Sequence, residues 1–293
     1  MFSSLAMAWV FTMTATPEAS SAAMDLEAQT QAWHRRRLER LQADDGWLTL
    51  VNLHWLDEGE TVAGSAEGSA LQLPNPAPPK LGTFSRRGLE VRFTPATGVE
   101  VSSGGKPFRG GVVRTDAAGD PDVLRHGTLQ LLAIVRGSRV AIRVRDAAAE
   151  TRRNFHGIPR FSARPEWRKD ARFESAAPGK TVSVPNVLGE VEDVPLAGSA
   201  LFSHEGTEYR LDATREGDKL FFVFGDLTNR KETYGAGRFL YADAPAEGRV
   251  LLDFNRAYNP PCAFTPYATC PLPPPQNKLP LRVEAGERRY GEH

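Results

Sequence analysis

A proline-rich segment near the C-terminus constrains the fold of this chain more than any other feature. Residues 253–275 hold seven prolines and both cysteines of the sequence. Proline fixes φ and lacks a backbone N–H, so such a segment forms neither the interior of a helix nor a central strand. We therefore predict a rigid, irregular loop that presents polar and aromatic side chains.

The composition is that of an ordinary globular protein, with 41% hydrophobic and 25% charged residues. Its 293 residues exceed the usual size of one hydrophobic core, and 26 glycines and 22 prolines favour many short strands joined by turns. Basic and acidic residues number 36 each, so the formal net charge is zero. No bulk attraction to nucleic acid or to membranes follows, and we predict no nucleic-acid partner.

We predict a mainly β protein made of two antiparallel sandwich or barrel units after a short N-terminal helix. The helix is expected at residues 24–46, a β-sandwich-like unit at 47–153, and a second β unit with the Pro/Cys-rich loop at 154–293. Residues 220–224 are wholly apolar, which predicts a strand buried on both faces. Residues 34–37, His-Arg-Arg-Arg, indicate a solvated helix face, with an anion contact as the alternative.

Residues 1–23 resemble an export signal. Residues 5–13 are largely apolar, and Ser21, Ala22 and Ala23 are small residues of the kind that a signal peptidase recognises. No Lys or Arg precedes the apolar run, so a ragged start of the chain is the alternative. The run is too short to span a bilayer, which needs about 20 apolar residues. We expect an exported, periplasmic protein, otherwise a cytoplasmic one, with no integral membrane segment in the mature chain.

Polar side chains flank the predicted buried strand and the proline-rich loop. If the neighbouring strands pair, a carboxylate, a guanidinium, a phenol and amides converge at one end of the second unit. We predict that these groups bind a small polar or anionic molecule. The predicted ligand-binding residues are Tyr234, Arg238, Asp253, Asn255, Asn259 and Cys262.

The alternative function is a hydrolase-like enzyme. Asp253 or Asp226 would act as the general base, and Arg238 would stabilise developing negative charge. Arg238 could instead form an ion pair with one of these aspartates and hold the loop. The chain has no nucleotide-binding glycine motif, no zinc-protease motif and no nucleophile-elbow motif, so no cofactor is predicted.

The two cysteines allow three interpretations. In an exported protein, Cys262 and Cys270 would form a disulfide or a structural thiol pair. A zinc site would need two further ligands and a different spacing, so no metal site is predicted. A reactive thiol would need a base brought close by the fold.

Six segments carry distinctive motifs: residues 47–56, 59–64, 225–240, 252–262, 270–275 and 284–287. These motifs resemble the bacterial and archaeal family known as domain of unknown function 1684. The resemblance covers roughly residues 33–290 and implies a domain organisation without an activity, so no catalytic residue is carried over. The first β unit is also weakly similar to forkhead-associated sandwiches, but the phosphothreonine-reading residues of that family have no counterparts here.

Overall fold

A computed structural model describes residues 17–291, with side chains from residue 24 onwards. The chain is mainly β and has one substantial helix at the N-terminal side, which confirms the predicted fold class. In this part of the chain, no helix is both long and apolar enough to cross a membrane. The predicted export signal at residues 1–23 lies outside the described residues, apart from the start of the helix.

Helix α1 spans Pro17–Gln42 and ends before the predicted boundary at residue 46. The chain turns there through Gly46, whose N–H donates to the carbonyl of Ala43 at 2.8 Å. A Cβ at Gly46 would lie 2.2 Å from the carbonyl oxygen of Leu41, so only glycine allows this turn. The helix ends where the backbone folds back on its own last turn.

One part of the predicted solvated helix face is wrong. Arg35 and Arg36 are exposed, but His34 and Arg37 pack against the second β unit. The ring Nε2 of His34 lies 3.2 Å from the carbonyl of Ile158, and Arg37 donates to a backbone carbonyl at 2.8 Å. The helix therefore docks on the molecule through charged as well as apolar side chains.

The first β unit is a sandwich of two sheets around an apolar core that includes Phe84, Phe93, Ile142 and Val144. One sheet has the order β1-β11-β10-β9-β6-β7 and the other β3-β2-β4-β5-β8, with only β2 and β3 parallel among the described pairs. The strands are β1 Leu50–Trp55, β2 Gly59–Gly64, β3 Leu71–Gln72, β4 Gly82–Arg87, β5 Glu90–Pro95, β6 Ser102–Ser103, β7 Lys106–Pro107, β8 Gly111–Val113, β9 Val123–His126, β10 Leu129–Arg136 and β11 Arg139–Asp146.

The second β unit follows a short helix, α2 (Glu150–Arg153), and an irregular connector. Six of its strands form one antiparallel sheet in the order β18-β17-β16-β15-β12-β19, which curves until β18 approaches β19. Strands β13 and β14 form a separate hairpin. The strands are β12 Arg168–Ser175, β13 Thr181–Pro185, β14 Val191–Pro195, β15 Gly198–His204, β16 Thr207–Glu216, β17 Lys219–Phe224, β18 Arg238–Ala242 and β19 Arg249–Asp253.

Strand β17 is buried on both faces, as predicted. Its alternate residues Leu220, Phe222 and Phe224 enter the core of the second unit. Phe221 and Val223 lie on the opposite face and pack with the proline-rich loop. The two faces of the strand therefore serve two different contacts, which explains the absence of the usual polar alternation.

The proline-rich loop is irregular, as predicted, and much of it is buried. Residues 257–290 contain only isolated bridges and two 3-10 turns, Pro261–Ala263 and Pro275–Asn277. Buried backbone groups must find hydrogen-bond partners, and a chain rich in proline cannot form a ladder with a strand. Side chains from the rest of the unit therefore supply many of these partners. We call residues 257–290 the C-terminal coil.

Candidate functional site

Arg238 is buried in an ion pair with Asp226. Its Nη2 lies 2.6 Å from the Asp226 carboxylate, and the side chains of both residues are fully buried. The same guanidinium donates to the carbonyls of Val283 and Ala285 in the C-terminal coil. A ligand would reach Arg238 only if this coil moved away.

The side-chain amides of Asn255 and Asn259, which were predicted to bind a ligand, also form hydrogen bonds to backbone groups. Asn255 accepts a hydrogen bond from the N–H of Arg164 at 2.9 Å and donates to its carbonyl at 3.0 Å. Asn259 donates to the carbonyl of Arg288 at 2.8 Å. Asn277, which the sequence does not single out, donates to the carbonyl of Val223 at 3.0 Å. These asparagines replace the hydrogen bonds that a strand partner would supply.

Asp253 lies at a different place, at the end of β19. Its carboxylate accepts from the amide of Asn255 at 3.0 Å and lies 3.4 Å from Nε of Arg256 and 3.8 Å from Nε of Arg168. The predicted site residues thus form separate groups along the C-terminal coil: Asp226 with Arg238, Asp253 with Asn255, and Cys262 with its own neighbours.

A buried carboxyl group, Glu287, connects helix α1 to the C-terminal coil. It accepts from the N–H of Asn259 at 2.8 Å and lies 3.4 Å from Nε of Arg37. Burial raises the pKa of Glu287, while the charge of Arg37 acts in the opposite direction. His34 lies 3.9 Å from the same carboxylate, and burial lowers the pKa of its ring.

Cys262 and Cys270 are adjacent free thiols in the structure. The backbone N–H of Cys262 points at Sγ of Cys270 at 3.2 Å. A hydrogen bond from Cys270 lowers the pKa of Cys262, and the same pairing raises that of Cys270. The predicted disulfide in the native compartment stays a prediction. Tyr234 lies nearby, where burial raises its pKa to about 12.

A cavity of about 400 Å³ lies where the first sheet, helix α1 and the second unit meet. We call it the arginine pocket. Phe221, Phe239 and Tyr241 enter it from the outward face of β17 and β18. The lining residues are Arg37, Trp47, Arg136, Arg143, Glu216, Phe221, Phe239, Tyr241, Tyr258, Pro261, Thr269, Cys270 and Pro271.

Arg143 is the most unusual side chain in the arginine pocket. It lies on the central strand β11, opposite Leu53 and Leu132, and is only 7% exposed. Its Nε is buried without a hydrogen-bond partner, and within residues 24–291 its guanidinium forms no ion pair. One favourable contact is with the ring of Trp47, 5.1 Å from Cζ to the ring centre. Burial, together with repulsion from Arg136, lowers the pKa of Arg143 to about 10.

The other two arginines of the pocket already have acidic partners. Arg136 lies 2.7 Å from the carboxylate of Asp116. Arg37 pairs with buried Glu287, as described above, and its guanidinium stacks over the ring of Tyr258 at 4.5 Å. Among the lining residues, three arginines face one carboxylate, Glu216, which accepts a hydrogen bond from Tyr241. Arg143 is therefore the arginine of this pocket that forms no ion pair within the described residues.

Arg143 is not among the site residues predicted from the sequence. A usable signal was present, because Arg143 interrupts the apolar run of β11 between Ile142 and Val144. An unpaired charge in the middle of a central strand is costly unless something compensates it. The four lining residues Arg37, Trp47, Arg136 and Arg143 precede the second unit, so its loops alone could not reveal the pocket. Among the described residues, no three His, Cys, Asp or Glu side chains are grouped as metal ligands would be.

Comparison with known proteins identifies the relatives of this chain. No curated protein sequence matches it. The solution NMR structure of an uncharacterized protein of Haloarcula marismortui matches with 31% sequence identity and a TM-score of 0.41, over 48% of this chain and 81% of that chain. Residues 153–288 match the family described as "Protein of unknown function (DUF1684)". The chain therefore belongs to this family, as its C-terminal motifs predicted.

Proposed function

We propose that this protein binds a small anionic molecule in the arginine pocket, with Arg143 as its main contact. Arg143 carries the proposal, because it is buried, its Nε has no hydrogen-bond partner, and it forms no ion pair within the described residues. A buried charge without a partner is strongly unfavourable, and proteins usually neutralise it or bind a counter-ion to it. A bound anion would supply the missing partner.

The chemistry of arginine favours a planar or tetrahedral oxyanion. Its guanidinium presents donors in a fixed fork that matches carboxylate and phosphate oxygens. A volume of about 400 Å³ falls within the usual range of roughly 300–1,000 Å³ for small-molecule sites. Aromatic side chains form part of the wall, and a charge-assisted hydrogen bond is stronger beside such apolar groups than in open water.

This proposal keeps the ligand class predicted from the sequence and changes the residue that binds it. The C-terminal coil still contributes through Pro261, Thr269, Cys270 and Pro271. Arg238 does not line the pocket, and its two terminal nitrogens donate hydrogen bonds within the fold.

The hydrolase alternative has less support. Asp226 and Asp253 are absent from the lining of the arginine pocket as the structure describes it. Each carboxylate already has a cationic partner in the fold. We therefore put forward binding rather than catalysis.

Anion binding by matched variants tests the proposal. We expect sodium phosphate and sodium acetate, titrated calorimetrically at constant ionic strength, to bind the wild-type protein. Arg143→Met should weaken this binding about tenfold or more, since a hydrogen bond to a charged group contributes about 1.5–3 kcal/mol.

Arg145→Met is the control. Arg145 lies two residues further along β11 on the same face, is partly buried, and does not line the pocket. Its removal should leave anion binding within about twofold of wild type. Equal binding by the wild type and Arg143→Met would refute the proposal.

A further inference from the structure

The arginine pocket is adjacent to a second cavity of about 350 Å³ beneath the β13–β14 hairpin, with which it shares five lining residues. We infer that the ligand is a linear aliphatic carboxylate, whose head binds at Arg143 and whose alkyl tail lies in this second cavity, the tail groove. The inference rests on the proposed function and specifies its ligand class. The residues that line both cavities are Arg136, Glu216, Phe221, Thr269 and Pro271.

The tail groove has apolar walls on two sides. Phe221 and Val223 form its floor on the outward face of β17. Val182 and Val194 form its roof and are direct partners across the hairpin, so they project from the same face. An alkyl chain between these walls would be shielded from water on both of its sides.

The roof is held in place by the C-terminal coil. The N–H of Val187 donates to the carbonyl of Cys270 at 3.0 Å, and the N–H of Leu272 donates to the carbonyl of Pro185 at 2.7 Å. At the hairpin tip, Glu190 also pairs with Arg139 of the first unit at 3.2 Å. The hairpin is therefore held by the C-terminal coil and by the first unit. The groove is thus already formed in the structure without a ligand.

Charge determines which end of the ligand lies in which cavity. In the arginine pocket, Arg37 and Arg136 are already paired with acidic residues, whereas Arg143 forms no ion pair within the described residues. Two arginines face three acidic residues in the tail groove, where Glu192 and Asp212 join the shared Glu216. The head of an anion is therefore favoured at Arg143, and a second negative charge at the tail end is disfavoured. A monoanion with an uncharged tail fits both cavities.

A chain-length series tests this inference on the wild-type protein. We would titrate acetate, butanoate, hexanoate and octanoate below their micelle concentrations, with octanol as the uncharged probe. Each methylene that enters the groove should tighten binding about threefold to fourfold, from roughly 0.8 kcal/mol per buried methylene. Octanol should bind at least about tenfold more weakly than octanoate, because it lacks the charge that Arg143 contacts.

A pair of variants on β14 separates the groove from the rest of the hairpin. Val194 lines the groove, whereas Val191 is 65% exposed and does not. We expect Val194→Asp to abolish the gain with chain length while acetate still binds, and Val191→Asp to bind the whole series like wild type. If circular dichroism shows that Val194→Asp is unfolded, Val194→Thr, which keeps the shape, should weaken octanoate about fivefold through its buried hydroxyl.

The outcomes distinguish the two proposals. If neither phosphate nor any carboxylate binds, the proposed function itself fails. If phosphate binds and no carboxylate does, the anion site stands and the carboxylate ligand is refuted. If acetate and octanoate bind with equal affinity, the anion site stands and the aliphatic tail is refuted. Equal binding of octanol and octanoate, or equal losses in Val194→Asp and Val191→Asp, would also overturn the assignment of the tail to this groove.

Discussion

Replacing Arg143 by methionine should stabilise the protein while removing its anion binding. The pKa of Arg143 is lowered from 12.5 to about 10, mainly by burial. At about 1.36 kcal/mol for each pKa unit, the charged form is disfavoured in the folded state by on the order of 3 kcal/mol. Because the folded-state pKa is the lower one, this cost is complete below about pH 10 and is therefore fully present at neutral pH.

The substitution also removes one favourable contact. The cation–π contact between Arg143 and Trp47, at 5.1 Å, contributes about 0.5–2 kcal/mol. Methionine keeps most of the packing of the arginine stem in this apolar setting. We therefore expect Arg143→Met to raise the free energy of unfolding by about 1–2 kcal/mol at pH 7.

Urea unfolding in the absence and presence of sodium phosphate measures both effects. The anion should stabilise the wild type by RT ln(1 + [anion]/Kd) and leave the free energy of unfolding of Arg143→Met unchanged. Arg145→Met serves as the matched control and should still respond to phosphate. If Arg143→Met lowers the free energy of unfolding by more than about 1 kcal/mol, Arg143 is a structural residue and the reasoning is wrong.

Three further predictions concern the C-terminal coil. Arg238→Met should lower the free energy of unfolding, measured in urea, by about 3–5 kcal/mol, because it leaves the buried carboxylate of Asp226 unpaired. Arg172→Met, which removes the exposed ion pair with Glu174, is the control and should cost less than about 1 kcal/mol. Equal losses in the two variants would contradict the prediction. Glu287 has a raised pKa in the folded state, so its contribution to stability is present below its usual pKa of 4.5 and is lost as the pH rises through the folded-state pKa. In urea unfolding at a series of pH values, Glu287→Gln should remove this pH-dependent loss of stability. The same pH profile in the wild type and in Glu287→Gln would refute this prediction. Iodoacetamide should alkylate Cys262 before Cys270, because the pKa of Cys262 is lowered and that of Cys270 is raised. The alkylation rate of Cys262, followed by mass spectrometry, should reach half of its maximum below pH 9. Faster labelling of Cys270 would show that the two pKa shifts are assigned to the wrong thiols.

The sequence left two roles open for Arg238, a ligand contact and an ion pair that holds the loop, and the structure contains the ion pair. Asp226, Arg238, Asn255 and Asn259 do lie where the proline-rich segment meets the second sheet. Their donors and acceptors hold a buried coil that has no regular hydrogen-bond ladder. A sequence cannot distinguish these two roles, because a ligand oxygen and a backbone carbonyl accept the same hydrogen bonds from an arginine or an asparagine.

The mainly β fold, the buried β17, the irregular proline-rich loop and the family were all accessible from sequence, because φ restriction, hydrophobic runs and motif order are local properties. The arginine pocket was not. Arg143 meets Tyr241 and Cys270 only because the outward face of the first sheet packs towards the outward face of β17 and β18. Period-two alternation shows that a strand has two faces. Which face lies against a second unit, and hence which charge becomes buried there, depends on long-range packing that only the tertiary structure decides.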